Sequence, residues 1–215
     1  MQLFYQPGIP EGIHYLDSEE SRHCIKVLRK KINDNIQLVD GRGTFYKAII
    51  TETDPRQTSF QIIDQKPEPI RSHYLHLAVA PTKRQERMEW MVEKIVELGV
   101  DRISFVECAN SERHKLRIDR LQRKAISAMK QSLRATLPMI NDLIPLNHFF
   151  PLVHPESTKL IAHLSENAIP LTNAVKPKTA HCLLIGPEGD FSPQELQQAQ
   201  EAGFQTVTLG NSRLR

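Results

Sequence analysis

A glycine turn between an apolar run and a helix start constrains this chain more than any other stretch. Cys182 to Ile185 form a short apolar run, the pattern of a strand buried on both faces of a sheet. Gly186 to Gly189 then turn the chain, and Ser192, Pro193 and Glu195 fit the start of a capped helix. Doubly wound sheets bind small ligands where a helix begins just beyond a strand's carboxyl end. The pattern also fits a plain strand-to-helix connection, so both interpretations stay open.

Length and composition favour a folded chain with a sizeable core. The 215 residues are 40% hydrophobic, enough for one generous domain or two small ones. No apolar run is long enough to span a membrane, and residues 1–10 lack the pattern of a signal peptide. We therefore expect a cytoplasmic protein with no membrane partner.

Cysteines and histidines do not form a metal-binding pattern. The three cysteines, Cys24, Cys108 and Cys182, are far apart and lie in apolar stretches. Buried free thiols are therefore expected rather than disulfides. The nearest histidine pair, His73 and His76, has no cysteine or carboxylate at ligand spacing. We expect no metal cofactor.

Positive charge is concentrated in one segment. The whole chain has a net charge of only +3, but Ser111 to Arg134 contain eight Lys or Arg against two acidic residues, a local net of +6. Such an excess of one sign is typical of a surface that contacts phosphates. A solvated helix face is the alternative interpretation.

The first 66 residues are predicted to be rich in β-strands. Residues 35–40 and 44–51 flank a turn with two glycines, which predicts a hairpin, and residues 58–64 predict another strand. Residues 18–28 predict a short helix with Ser18 as a possible cap. Short strands with one helix suggest a small barrel. Its basic residues near Arg29 and Arg42 would suit an RNA backbone, or would only keep the domain soluble.

Residues 66–71 contain two prolines and predict a domain boundary. Beyond it, strands and helices alternate. The predicted strands are 74–80, 102–108, 158–164, 181–185 and 205–209, and the predicted helices are 85–98, 119–134 and one that ends at Gly203. Met88, Met91, Val92, Ile95 and Leu98 are expected on the buried face of the first helix, which Gly99 ends. This alternation predicts a mostly parallel sheet.

Familiar nucleotide and hydrolase motifs are missing from the sequence. The first strand of this second part is not followed by G-x-G-x-x-G, and neither a P-loop nor a G-x-S-x-G elbow occurs. The ligand site is therefore expected late in the chain.

Several segments together match one family. They are 23–29 and 40–43 in the first part, and 83–100, 131–134 with Pro138, 183–191 and 209–215 in the second. Through them the chain resembles, over nearly its whole length, the RsmE family, the 16S ribosomal RNA (uracil-N3)-methyltransferases of the SPOUT class.

The resemblance implies a fold, a cofactor and partners. The expected fold is a PUA-like β-barrel over residues 1–68, followed by an α/β SPOUT domain over residues 72–215 that ends in a deep trefoil knot, an exception to the rule that chains avoid knots. The family binds S-adenosylmethionine in the knot, works as a homodimer and methylates 16S ribosomal RNA in the small ribosomal subunit. A SPOUT enzyme acting on a ribose 2′-hydroxyl of transfer RNA and a non-enzymatic RNA-binding assembly factor are the alternatives.

The resemblance also implies site residues. The cofactor-binding residues it implies are Ile161, Ala162, His163, Ile185, Gly186, Pro187, Glu188, Gly189, Leu209, Gly210, Arg213 and Leu214. The predicted RNA-binding residues are Arg29, Lys30, Arg42, Lys83, Arg87, Arg113, Lys115 and Arg120. Uracil N3 carries a weakly acidic proton, so a guanidinium nearby would favour its anion. Arg134 and Arg213 are predicted for that role, with Glu188 as proton acceptor or cofactor contact; phosphate contacts and loop stabilisation are their alternative roles.

The chain departs from the family pattern in three places. Asp190 stands where the family usually has a second glycine, and residues 1–4 lack the arginine often found there. The family typically continues past the position of Arg215 with a Thr-Glu-Thr-Ala-like segment and a last helix. We expect part of the knot and of the cofactor site to lie in that continuation.

Overall fold

A computed structural model describes residues 2–210 and divides the chain into two compact units. Unit 1 comprises the residues up to Ile70 together with residues 123–137, and unit 2 comprises the rest. Residues 123–137 thus leave the second part of the chain to join the first. The first division, after Ile70, lies within the boundary predicted at residues 66–71.

Unit 1 contains a four-stranded sheet in the order β1-β2-β3-β4. Its strands are β1 (Leu3–Tyr5), β2 (Asn35–Val39), β3 (Thr44–Glu52) and β4 (Ser59–Pro67). The β2–β3 hairpin is antiparallel, as predicted, and β1 pairs in parallel with β2. Helix α1 (Ser18–Arg22) continues into a π-helical segment, His23–Val27. Together the two segments correspond to the helix predicted over residues 18–28.

One local prediction for unit 1 was wrong. Asp17, not Ser18, caps α1, because its carboxylate accepts a hydrogen bond of 2.8 Å from the backbone N–H of Glu20. Strand β4 extends into the predicted boundary segment, residues 66–71, and includes Pro67, while the division between the units falls later in the same segment, after Ile70. A proline is tolerated there because β4 is an edge strand, where a missing N–H need not break a ladder.

The returning segment 123–137 is held to unit 1 by specific contacts. Lys130 forms a salt bridge with the buried carboxylate of Glu20. The backbone N–H of Leu137 donates to the carbonyl of Gly41 at 2.8 Å, and the Thr136 hydroxyl donates to Glu68 at 2.8 Å. These bonds explain why the segment belongs to this unit.

Unit 2 is built on a seven-stranded, fully parallel sheet in the order β7-β6-β5-β10-β8-β11-β9, as the alternation predicted. The strands are β5 (Tyr74–Val79), β6 (Arg102–Glu107), β7 (Met139–Pro145), β8 (Thr158–Ala162), β9 (Ile169–Pro170), β10 (Ala180–Ile185) and β11 (Gln205–Thr208). The helices after α1 are α2 (Gln85–Leu98), α3 (Ile118–Gln131), α4 (Leu146–Phe149), α5 (Leu171–Ala174) and α6 (Pro193–Glu201). Helix α3 runs across the division between the units.

Helix α2 has the predicted limits but a different buried face. Met88, Val92 and Val96 are buried, whereas Leu98 is 80% exposed. At 100° per residue, Leu98 lies about 120° around the helix from the mean direction of those three side chains. Gly99 ends the helix at a φ of 90°, as predicted.

The three cysteines are buried free thiols, as expected. Burial raises the pKa of Cys24 to about 11 and the pKa values of Cys108 and Cys182 to about 12. None of the helices in residues 2–210 is long and apolar enough to cross a membrane.

A buried polar chain crosses three strands of unit 2. The His76 ring nitrogen Nε2 lies 2.8 Å from the Ser104 hydroxyl, which donates to the Asn141 side-chain oxygen at 3.1 Å. Arg102 donates to the same oxygen at 2.7 Å. Burial, helped by the positive charge of Arg102, lowers the pKa of His76 to about 4.

We expect His76 to make the protein less stable in acid. Between about pH 6.5 and pH 4 the unfolded chain binds a proton at this histidine that the folded chain does not. The free energy of unfolding therefore decreases by up to about 3 kcal/mol as the pH is lowered through this range. Urea unfolding of the wild type and of His76→Gln, from pH 7.5 to 4, measures this difference. Parallel pH dependences for the two proteins would contradict the expectation.

Candidate functional site

Three loops leave neighbouring strands at the same edge of the unit 2 sheet. In the parallel register Ala162 at the end of β8 lies opposite both Ile185 at the end of β10 and Val207 of β11. Adjacent strands are about 4.8 Å apart. The loop after β8 (163–168), the glycine loop after β10 (186–190) and the terminal loop after β11 (209–210) therefore start side by side. Most of the residues predicted to bind the cofactor lie in these loops or at the strand ends before them.

The glycine loop is closely packed against its surroundings. A Cβ atom at Gly186 would lie 2.7 Å from a ring carbon of Phe191, which is itself buried in the core. A Cβ atom at Gly189 would lie 3.0 Å from the Cβ of Asn110. A larger residue at Gly186 must therefore move the loop or the core.

Asp190 ties the glycine loop to the loop after β8. Its backbone has a φ of 61°, a left-handed conformation that glycine adopts most easily and that aspartate tolerates better than most residues. One carboxylate oxygen accepts from the backbone N–H of Phe191 at 2.8 Å, and the other lies 2.9 Å from His163 Nδ1. This aspartate, which stands where the family usually has glycine, therefore fixes the spacing of two loops.

Two residues, Asn110 and Glu195, link the glycine loop and the start of α6 to the loop after β6. The Asn110 side chain donates to the carbonyls of Gly189 and Asp190 at 3.1 and 3.0 Å. Glu195 completes the predicted capping box with Ser192 at the start of α6. Its second oxygen accepts from the backbone N–H of Ala109 at 2.8 Å. The loop after β6 thus supports the glycine loop.

Sequence reasoning missed Asn110 and the second contact of Glu195. Asn110 lies 79 and 80 residues before the carbonyls that it binds. Its place just beyond the carboxyl end of β6 was the available signal, because loops at that edge of parallel strands converge on ligands.

The terminal loop ends the described part of the site. The Thr208 hydroxyl accepts from the backbone N–H of Gly210 at 3.3 Å, and Gly210 has a φ of 126°. Leu209 is exposed. The predicted residues Arg213 and Leu214 lie outside the described residues.

The other two predicted catalytic residues belong to different units. Glu188 is exposed on the glycine loop in unit 2. Arg134 is half-buried just after α3, in the segment that belongs to unit 1. Their roles in chemistry stay predictions.

Arg113, predicted to bind RNA, is engaged within the protein. Its guanidinium donates to the Lys83 carbonyl at 3.2 and 2.6 Å, to the Gln85 side chain at 3.1 Å and to the Lys115 carbonyl at 3.1 Å. This geometry braces the segment before α2 against the segment before α3. The positive charge remains there, although most of the donors are occupied.

The remaining predicted RNA-binding residues are divided between the units. Arg29, Lys30 and Arg42 are in unit 1; Lys83, Arg87, Lys115 and Arg120 are in unit 2. All are exposed except Lys30, which is half-buried and donates to the Asn35 carbonyl at 3.0 Å. Arg42 pairs with Glu11 at 2.7 Å and Arg120 with Glu89 at 3.1 Å. The exposed Arg42–Glu11 pair is weak and leaves Arg42 able to exchange partners, whereas Glu89 is half-buried in its pair with Arg120.

Comparisons with known families cover most of the chain. A family model described as an RNA methyltransferase domain matches residues 69–215, and one described as an RNA methyltransferase PUA domain matches residues 16–63. The ribosomal RNA small subunit methyltransferase E of Mesomycoplasma hyopneumoniae (strain 232) is 30% identical over 222 residues, covering 100% of this chain and 93% of that protein.

Solved structures show the same similarity over the whole chain. A probable rRNA-methyltransferase from Porphyromonas gingivalis is 41% identical, with a TM-score of 0.93 over 100% of this chain and 92% of that one. A ribosomal RNA small subunit methyltransferase E from Neisseria gonorrhoeae, bound to S-adenosyl methionine, is 33% identical, with a TM-score of 0.83 over 100% of this chain and 91% of that one.

Proposed function

The chain belongs to the RNA methyltransferase family, and from that membership we propose that it methylates N3 of a uridine in the 16S RNA of the small ribosomal subunit. It is a ribosomal RNA methyltransferase that uses S-adenosylmethionine, as its similarity to small-subunit methyltransferases and to a cofactor-bound structure supports. The observation that carries the proposal is the meeting of three loops at one edge of the parallel sheet. Uracil N3 as the target rests on the family resemblance.

The loop residues suit S-adenosylmethionine in charge. The cofactor carries a positive sulfonium and a positive amino group, and the exposed carboxylates of Glu188 and Asp190 lie on the glycine loop. Among residues 2–210, no atom outside its chain neighbours lies within 4 Å of the Cβ position of Gly210. In this proposal the three loops and the strand ends before them hold the cofactor, together with Arg213 and Leu214.

The cofactor supplies an electrophilic methyl group, and the chain must position uracil and manage its proton. In-line transfer requires the nucleophile and the methyl carbon to be held in near-attack geometry without water. Removing the N3 proton creates an anion, which a guanidinium stabilises by opposite charge. We assign this role to Arg213 or Arg134, and assign Glu188 as proton acceptor or cofactor contact.

The domain roles follow the family models. Residues 1–68 form an RNA-binding PUA-like barrel in this proposal, and residues 72–215 form the SPOUT methyltransferase domain. We also propose that the C-terminal part is tied in a trefoil knot. The strand order supports this, because β10 lies between β5 and β8 although it follows both in the chain.

We propose that the protein works as a cytoplasmic homodimer. Two large apolar side chains of α2 support an interface between copies, since Trp90 is 64% exposed and Leu98 is 80% exposed. The substrate supports the compartment, because ribosomal subunits are cytoplasmic in bacteria.

Replacing Asp190 by glycine is expected to weaken S-adenosylmethionine binding about three- to tenfold. Glycine adopts the same backbone conformation, but the variant loses both carboxylate contacts. Without them the glycine loop and the loop after β8 become ordered only when the cofactor binds, and the free-energy cost of that ordering weakens binding. Asp190→Asn should recover part of the affinity, because asparagine also adopts the left-handed conformation and keeps an acceptor oxygen. Calorimetry measures each dissociation constant.

Glu156→Gln is the matched control, because Glu156 is an exposed carboxylate just before β8, at the opposite edge of the sheet from the three loops. It should bind the cofactor like the wild type. Wild-type affinity in Asp190→Gly would show that the contact with His163 does not order the site.

Calorimetry also separates the enzyme from its main rival. A non-enzymatic assembly factor would bind RNA through the PUA domain and the basic segment 111–134 without binding S-adenosylmethionine. Measurable cofactor binding by the full protein supports the enzyme. The second rival, a ribose 2′-O-methyltransferase of transfer RNA, differs in the methylated nucleoside that it produces.

A further inference from the structure

A cavity of about 270 Å³ lies on the sheet of unit 1, whereas the glycine loop belongs to unit 2. Gln37 of β2, Phe45 and Lys47 of β3, Lys66 of β4 and Leu133 from the returning segment line it. The strand register pairs Gln37 with Lys47 and Phe45 with Lys66. Since Phe45 and Lys47 are two residues apart, these four side chains project from the same face of the sheet.

Gln37 provides a buried amide oxygen. Its Oε1 atom is buried and accepts no hydrogen bond from the part of the chain that the structure describes. An unsatisfied buried carbonyl oxygen is unfavourable, and most such atoms in folded proteins have a partner. Rotation of the terminal amide would present either its oxygen or its N–H₂ group to a ligand in the cavity.

The other lining residues supply a ring and positive charge. Phe45 is half-buried, so part of its ring is accessible. Lys66 is exposed at the rim. Lys47 pairs with Asp64 at 3.3 Å, and both of these side chains are more than half exposed. A planar apolar surface, an amide and an ammonium group are thus close together.

We propose that this cavity holds one unstacked base of an RNA strand. The base stacks on Phe45, the Gln37 amide hydrogen-bonds its edge, and Lys66 lies near an adjoining phosphate. Single-stranded RNA is commonly recognised in this way, by aromatic stacking with hydrogen bonds to base edges. Because an amide both donates and accepts, the site accepts more than one base.

Size and location favour a base over other occupants. Cavities for drug-sized ligands are roughly 300–1,000 Å³, so this one suits a single planar ring better than a folded peptide. Gln37, Phe45 and Lys47 also lie within the region matched by the RNA methyltransferase PUA domain. The inference rests on the proposed function only for the identity of the RNA, which is that of the small subunit.

Phe45→Ala tests the proposal directly. We expect its affinity for small ribosomal subunits from a strain lacking the protein to fall about tenfold to a hundredfold, the usual loss when one base loses its aromatic partner. Phe45→Tyr, which keeps the ring, should bind within a few-fold of the wild type. Filter binding measures the affinities, and circular dichroism with thermal unfolding checks that each variant remains folded.

Ile63→Ala is the matched control. Ile63 is an exposed apolar residue of β4 that does not line the cavity, so its loss should leave subunit binding unchanged. Wild-type affinity in Phe45→Ala, or equal losses in Phe45→Ala and Ile63→Ala, would overturn the proposal.

Cross-linking distinguishes the occupant. Small subunits containing 4-thiouridine are irradiated with the wild type, and the cross-linked peptides are mapped by mass spectrometry. We expect RNA attached within residues 44–47. Cross-links from this peptide only to ribosomal proteins would overturn the proposal, since they would identify a protein-binding surface. Absence of methyl transfer by a wild type that still cross-links to RNA here would instead reject the proposed enzymatic function and leave the base site standing.

Discussion

Gly186→Val is expected to lower methyl transfer on the order of a hundredfold, mainly by weakening S-adenosylmethionine binding. A Cβ at this position would lie 2.7 Å from the buried ring of Phe191, which is packed in the core and cannot swing away. The glycine loop must therefore shift, and displacing a binding group by about 1 Å can cost about a hundredfold in rate. Calorimetry and a methyl-transfer assay at several cofactor concentrations separate affinity from kcat.

Gly203→Ala is the control for general loss of a glycine. Gly203 lies after α6 with a φ of 86°, and no atom of the described residues outside its chain neighbours lies within 4 Å of its Cβ position. This variant should lose some stability, because alanine is strained at positive φ, and should keep its affinity for the cofactor. If Gly186→Val bound the cofactor as tightly as Gly203→Ala, the glycine loop would not be part of the site.

Arg213→Ala is expected to lower kcat about a hundredfold to a thousandfold while most RNA affinity remains. This follows from the role proposed for its guanidinium, which is to stabilise the negative charge that develops on uracil. Single-turnover rates at saturating small subunits and cofactor measure the chemical step. Arg134→Ala, tested alongside, shows which of the two arginines carries the role.

The pattern of loss identifies the role of each arginine. A fall in kcat with little change in subunit affinity indicates stabilisation of the reacting base. Equal losses of affinity and rate would assign the residue to RNA positioning. The two variants have the same charge change, so each serves as the control for the other.

Local sequence patterns were sufficient to predict the frame of the site. The apolar run before Gly186, the capping box at Ser192 and the alternation of strands and helices predicted a parallel sheet with a loop at its carboxyl edge. These signals are local, because burial on both faces of a strand and helix capping involve neighbouring residues.

Contacts between distant residues could not be predicted in this way. The contact of Asp190 with His163 joins residues 27 positions apart, and the bonds of Asn110 join residues about 80 apart. Edge elements were also missed. Strand β1 has only three residues, and β7 has a burial pattern without the regular alternation that marks a half-buried strand.

The return of residues 123–137 to unit 1 has a similar cause. Their charge pattern indicated an exposed basic face, and the apolar residues Ala125, Ala128 and Met129 are buried. The pattern does not say which surface those apolar residues cover. The contacts of Lys130, Thr136 and Leu137 with the first part of the chain show that this segment packs against unit 1.

Methylation of isolated small ribosomal subunits tests the central claim most directly. Subunits from a strain lacking the protein are incubated with the purified chain and S-adenosylmethionine, and the 16S RNA is digested and examined by nucleoside mass spectrometry. We predict one new 3-methyluridine per subunit, absent when Gly186→Val replaces the wild type at limiting cofactor. A methyl group on a ribose 2′-hydroxyl, or none on the RNA despite bound cofactor, would contradict the account.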